Sequence, residues 1–264
     1  MKRLAIFCLF TAILNGPAQA APESQCLAVA QGEARYQQAA TQATPLAEDE
    51  VSLTFVGHST YRIETAGGVT VATGIAIVVG GPPPTVVTMN RAHSTHYTDR
   101  IDPEIQHVLR GWSENGEPAH HDLQVGDMRI RNVTTDIRNS FTSRITDGNS
   151  IFIFEAGGLC IGHLGHLHHE LTPGHIGWIG RLDVVMVPVD GRMTMPHANM
   201  MAVLKELRAS VILPMHVFGP SSLNEFLLEA RKHFTVRDND SRTLIASLKM
   251  LPAEPTVFVM QGYF

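Results

Sequence analysis

Four apolar runs in this chain stop at a histidine or an aspartate. Val86-Val87-Thr88-Met89 leads into Asn90-Arg91-Ala92-His93-Ser94-Thr95-His96-Tyr97-Thr98-Asp99. Leu159-Cys160-Ile161 leads into Gly162-His163-Leu164-Gly165-His166-Leu167-His168-His169. Val184-Val185-Met186-Val187-Pro188-Val189 ends on Asp190-Gly191, and Val211-Ile212-Leu213-Pro214-Met215 ends on His216. Short β-branched runs suit buried strands. A fold for this chain therefore has to account for four strand mouths that present imidazole or carboxylate groups. Histidine is the commonest metal ligand, and the chain holds 14 of them, many at such positions.

Residues 1–20 stand apart from the fold. Met1-Lys2-Arg3 is a positive start, residues 4–14 are apolar, and Pro17-Ala18-Gln19-Ala20 is a small-x-small cleavage site. The apolar run is too short for a stable membrane anchor. The pattern predicts a signal peptide removed after Ala20 and a periplasmic or secreted product, with no membrane contact once it is cleaved. Cleavage takes the formal charge from −5 to −7. There is no Lys/Arg run, so nucleic acid is excluded as a partner and a small-molecule substrate is expected. Cys26 and Cys160 remain after cleavage. Export permits a disulfide between them, but without a motif the reading for Cys160 is a buried, inert thiol.

Residues 22–42 are rich in Ala and Gln and predict a helical extension, within a segment spanning residues 21–49. The main domain covers residues 50–264 as one unit. Alternation predicts strands at residues 51–56, 60–65 and 69–72. Residues 102–109 predict a short helix. A second set of strands begins at Leu123, with a Gly157-Gly158 hairpin turn. Thr172-Pro173 starts a helix. Helices are also expected at residues 196–207 and 221–232, strands at 184–189 and 211–214, and closing strands at 244–251 and 257–261. Strands first, then strands alternating with helices, fits an α+β fold: a four-layer αββα sandwich of two mixed sheets with helices outside.

At this point five segments together resemble the metallo-β-lactamase fold superfamily. They are Val56-Gly57-His58-Ser59-Thr60, the strand-loop ending at His96, residues 162–169, residues 183–191 and Ile212-Leu213-Pro214-Met215-His216. Within that superfamily the chain is most similar to the ascorbate-phosphate lactonase-like hydrolases. The family's opening motif, His-x-His-x-Asp-His, falls here on Arg91, His93, Thr95 and His96. A histidine that the family carries on a later strand has no counterpart in Val133-Thr134-Thr135-Asp136-Ile137-Arg138. The family's bridging aspartate falls on His166, and its last histidine on His216.

The resemblance implies metal ligands at His93, His96, His166 and His216. Of the first metal's three histidines only His93 is left, so that metal is expected to be lost, or rebuilt with Asp136. The second keeps His96 and His216, with His166 in place of the carboxylate. Three neutral imidazoles plus water make a sound zinc site, with manganese or iron as alternatives. Arg91 repels a second cation and offers forked hydrogen bonds to a carboxylate, phosphate or oxyanion. Asp190 and His58 are the candidate bases, although a histidine in a Gly-His-Ser strand turn is more often structural.

The remaining histidines have blander readings. His163 is a core or supporting group. His168 and His169 lie at the site mouth or in solvent, and His120, His121, His175 and His197 at the surface or in a first helical turn. The methionines at 193, 195, 200 and 201 are packing.

The implied function is an exported, mononuclear zinc hydrolase of an ester, lactone or phosphoester. The alternative is a non-catalytic metal- or ligand-binding member, favoured by Arg91, by Thr95 in the aspartate's place and by Thr73-Gly74, where the family often has an aspartate. β-Lactam hydrolysis is not expected of this branch.

Overall fold

The structure is a computed structural model, and it describes residues 24–27, 46–76, 78–90, 95–139 and 143–263. The signal segment, most of the expected N-terminal helix, and Arg91 and His93 lie outside the described residues.

The chain opens as an antiparallel meander, β1 (Val51–Gly57), β2 (Thr60–Thr65) and β3 (Thr70–Ala72). The expected strand β4 (Val86–Met89) then pairs parallel to β3. The next element differs from expectation. Where a short helix was predicted, turns lead into β5 (His107–Arg110), which pairs parallel to β4. The helix-like spacing is outweighed by the hydrogen bonds that an unpaired β4 edge offers. With β13 (Thr243–Ala246) against β1, the first sheet has the order β13-β1-β2-β3-β4-β5.

The second sheet holds eight strands. Gly126, at φ +50°, turns β6 (Asp122–Val125) into β7 (Met128–Arg138). β8 (Arg144–Ala156) and β9 (Leu159–His163) follow, joined by the expected Gly157-Gly158 turn with both glycines at positive φ. The chain then alternates: α1 (Pro173–Ile179), β10 (Val184–Pro188), α2 (His197–Leu207), β11 (Val211–Met215), α3 (Pro220–Ala230), β12 (Thr235–Asn239) and β14 (Thr256–Met260). Thr172 caps α1 through its hydroxyl and Pro173 opens it, as the sequence predicts. β9, β10 and β11 are parallel neighbours, and every residue of β10 and β11 is buried. That is why they read as unbroken apolar runs rather than alternating ones. The expected closing strand at 244–251 is shorter, ending at Ala246 before a 3-10 turn (Leu248–Met250).

The core lies between the sheets. Leu53, Tyr61, Ile63 and Val71 of the first sheet join Ile130, Ile151, Ile153 and Ile161 of the second in one buried cluster. The architecture is thus α+β with two mixed sheets, and all three described α-helices lie in the crossovers of the eight-stranded sheet.

The cysteines differ from the expected inert thiol. Cys26 and Cys160 form a disulfide across a separation of 134 residues. Ser24 Oγ and the Gln25 N–H both donate to Glu155, which also pairs with the buried Arg131. The backbone N–H of Arg181 donates to Cys26 O. Residues 24–27 are thereby fixed to β8, β9 and the end of α1.

Candidate metal centre

The C-terminal ends of β9, β10 and β11 carry His163, Asp190 and His216, on one edge of the sheet. Strand ends of this kind are where open α/β sheets place their ligands. The first sheet meets that edge with the β1–β2 turn, residues 58 and 59, and with His96 beyond β4. Two bonds tie the turn to the second sheet. The His216 N–H donates to His58 O at 2.7 Å, and His163 Nε2 donates to Ser59 O at 2.9 Å. His58 and His216 both have positive φ, +49° and +59°. Non-glycine residues are uncommon there, and two facing each other at strand ends mark a locally strained edge. Tyr61 and Tyr263 both donate to Pro214 O at 2.8 Å, steadying the end of β11 two residues before His216.

The histidine rings gather at this edge. One ligand atom from each of His58, His96 and His216 lies within 4.8 Å of the others. The His96 ring lies roughly parallel to that of His216, with centroids 4.9 Å apart. His166 stands edge-on to both, at 5.2 Å from His96 and 4.9 Å from His216. Its ligand atoms are not part of the three-histidine group. His96, His166 and His216 are almost fully buried. Phe218 packs its edge against His216 and His58 while remaining 55% exposed, so an apolar ring borders the cluster.

Hydrogen bonds on the outer side of each ring assign its protons. Ser59 Oγ donates to Gly74 O at 3.1 Å, so it accepts from His96 Nδ1 at 2.7 Å. Asp190 Oδ2 accepts from His216 Nδ1 at 3.0 Å. Both rings therefore carry their proton on Nδ1 and aim a lone pair from Nε2. These two Nε2 atoms face each other at 2.9 Å. Two lone pairs at that distance repel unless a cation is shared between them. The donor set of neutral imidazoles, oriented by a carboxylate and a hydroxyl behind them, is what a borderline divalent ion such as zinc requires. The residues present fit a metal.

Asp190 serves this orientation. Oδ1 accepts the backbone N–H groups of Arg192, Met193 and Thr194, and Oδ2 accepts from Thr194 Oγ1 and His216. Burial alone would raise its pKa. The bonds from His216 and Thr194 outweigh burial and hold the carboxyl well below the usual carboxylate range. Its accepting positions are taken, which suits a fixed orienting group better than the base considered from sequence. His163 is also set by its surroundings. Its Nδ1 accepts from the Gly165 N–H, and burial pushes its pKa down to about 4.

Of the residues singled out from sequence, the structure brings together His58, His96, His166, Asp190 and His216. Arg91 and His93 are outside the described residues. Ser59 escaped sequence reasoning, His163 takes the supporting place expected of it, and His168, expected at the site mouth or in solvent, bonds His166. Only the Gly57-His58-Ser59 turn carried a local signal. Asp136, considered as a replacement ligand, instead pairs with Arg144 and accepts from the Asp147 N–H. A cavity of about 410 Å³ opens between the loops after β3 and after His96, lined by Ile75, Val79, Ile101, Ile105, Arg100 and Asp102 among others. None of its lining residues belongs to the histidine cluster.

Comparisons with known proteins agree with this fold. A family model described as the beta-lactamase superfamily domain matches residues 52–216, more than half of the chain, and the chain belongs to that family. It is similar to a solved structure from Thermotoga maritima assigned as a Zn-dependent hydrolase of the metallo-beta-lactamase superfamily. The two are 27% identical with a TM-score of 0.58, covering 80% of this chain and 98% of that one. A structure from Parabacteroides distasonis, assigned as a metal-dependent hydrolase, is 13% identical with a TM-score of 0.55, covering 69% and 88%. The metallo-beta-lactamase fold protein YhfI from Bacillus subtilis is 12% identical with a TM-score of 0.51, covering 81% and 98%. These last two show the fold alone. A search of curated proteins finds no match. The chain is thus a metallo-β-lactamase-fold protein of a metal-dependent hydrolase family, and three of its histidines could hold a divalent ion.

Proposed function

We propose that the protein is an exported hydrolase with a single zinc ion held by His96, His216 and His58, acting on an ester, lactone or phosphoester. The observation that carries this reading is the 2.9 Å approach of two Nε2 lone pairs, each fixed by an outer hydrogen bond. A bound divalent ion supplies Lewis acidity and brings the ionisation of water close to neutral pH. The chain's own contribution is orientation: Asp190 and Ser59 hold two imidazoles in the ligating tautomer, and His163 holds the turn that carries His58 and Ser59. His93 and Arg91 directly precede this set in sequence. The proposal keeps His93 as a further ligand and Arg91 as the group that binds the substrate's anionic part. Membership of the ascorbate-phosphate lactonase-like branch belongs to the same proposal. Export is supported by the Cys26–Cys160 disulfide, which an oxidising compartment maintains. Mass spectrometry of the exported protein should find Ala21 at its N-terminus.

The test is turnover of chromogenic esters, lactones and phosphodiesters by the purified mature protein, with and without chelator. Chelator-sensitive turnover that His216→Ala abolishes supports the enzyme. A metal-loaded protein inert on the whole panel favours a metal- or ligand-binding role instead. Thr95, in the place of the family's aspartate, is the feature that speaks for that second reading.

A further inference from the structure

His166 carries its proton on the opposite nitrogen from its neighbours. The backbone N–H of Arg138, at the end of β7, donates to His168 Nδ1 at 2.7 Å. That nitrogen therefore presents a lone pair, and a neutral His168 carries its proton on Nε2. His168 Nε2 lies 2.7 Å from His166 Nδ1 and donates to it. His166 Nδ1 is in turn the accepting nitrogen, and the His166 proton is on Nε2. His96 and His216 face oxygen acceptors and keep Nδ1 protonated. His166 faces a donor and is protonated on Nε2, the nitrogen on the far side of its ring from His168. The ring stands almost perpendicular to that of His216, with centroids 4.9 Å apart.

We infer that His168 is a positioning residue that keeps His166 as a fixed N–H donor beside the metal centre, rather than as a metal ligand. A nitrogen that bears a proton has no lone pair to coordinate with. It can instead hydrogen-bond an oxygen of the substrate, and it favours that oxygen most where negative charge develops during attack on a carbonyl or phosphoryl group. The donor assignment stands on the hydrogen-bond chain alone, while its use on a substrate oxygen rests on the hydrolase reading. Three elements fix the chain of bonds. β7 supplies the Arg138 N–H, and Asn149 of β8 accepts the His166 N–H at 2.8 Å. Gly165, at φ +61°, lets the loop after β9 pass where a Cβ would lie 2.4 Å from Asn149 Oδ1.

The experiment is ¹⁵N NMR of the histidine side chains in the zinc-loaded mature protein, beside His168→Gln and His168→Glu. Gln accepts from Arg138 and donates to His166, so it should leave His166 protonated on Nε2. Glu only accepts, so it should move the proton to Nδ1 and free Nε2 to coordinate. Zinc affinity, read by chelator competition, should match wild type in His168→Gln and rise at least tenfold in His168→Glu. His166→Ala should keep its zinc, and where turnover exists kcat should fall about a hundredfold or more, the usual cost of one such donor. An unprotonated, zinc-bound His166 Nε2 in the wild-type protein would overturn the inference, as would loss of zinc in His166→Ala. If His168→Glu fails to fold, the wild-type and His168→Gln spectra still decide. An inert protein with the stated proton positions would remove the hydrolase reading and leave the donor assignment standing.

Discussion

Each histidine at the centre is defined by the atom behind it. His216 has a carboxylate behind it, His96 a hydroxyl and His166 another imidazole. Asp190→Asn should therefore lower metal affinity about 10- to 100-fold, the usual cost of losing such an orienting partner, as measured by chelator competition. The carboxyl also enters the pH dependence of stability. Its folded pKa lies below the unfolded value of 3.8, so its stabilisation is complete above that value and is lost as pH falls below it. His163 acts at milder acidity. It is neutral in the fold and titrates at about 4 instead of 6.5, so metal-free protein should lose stability as pH falls from 6.5 to 4. Thermal melts across that window should be shallower in pH for His163→Gln. At this scale the sequence was informative about types and poor about roles. His96 and His216 were legible from their positions after apolar runs. His58, expected as a structural turn residue or a base, joins the three-histidine group because β11 is brought beside its turn. The parts of Ser59 and His168 depend on bonds to residues 15 to 37 positions away, which no local pattern encodes.

The end of β7 joins the two halves of the site. The Arg138 backbone holds His168, and its side chain donates to the carbonyls of Arg192, Met193 and Thr194, on the loop wrapped around Asp190. Arg138→Ala should loosen that loop and weaken metal binding while leaving the far-UV spectrum unchanged. The disulfide works at the opposite end of β9 from His163. Closing a separation of 134 residues, it should stabilise the fold by about 3–5 kcal/mol, so Cys160→Ser should lower the denaturant midpoint by the same amount as reduction of the wild type. The periodic elements were legible because burial writes itself into them, as in β10, α2 and the capped start of α1. β5 was not, since a four-residue strand is decided by the partner edge it meets. The cysteine pair was not, since nothing local relates position 26 to 160.

For the whole molecule, the two sheets matter less as a scaffold than as two sources of imidazoles for one cluster. The second supplies His216 and its orienting Asp190, and the first supplies His58 and His96. The backbone bond from His216 to His58 joins them. The centre therefore exists only when the sheets are packed, and a bound ion should stabilise the packed state by mass action. The measurement that tests the account most directly is metal content by mass spectrometry. It uses the mature protein from Ala21, purified without chelator, beside His58→Ala, His96→Ala and His216→Ala. The account predicts about one zinc per chain in the wild type, and its loss in all three variants. A wild-type protein that holds no metal after reloading, or variants that keep a full complement, would contradict it.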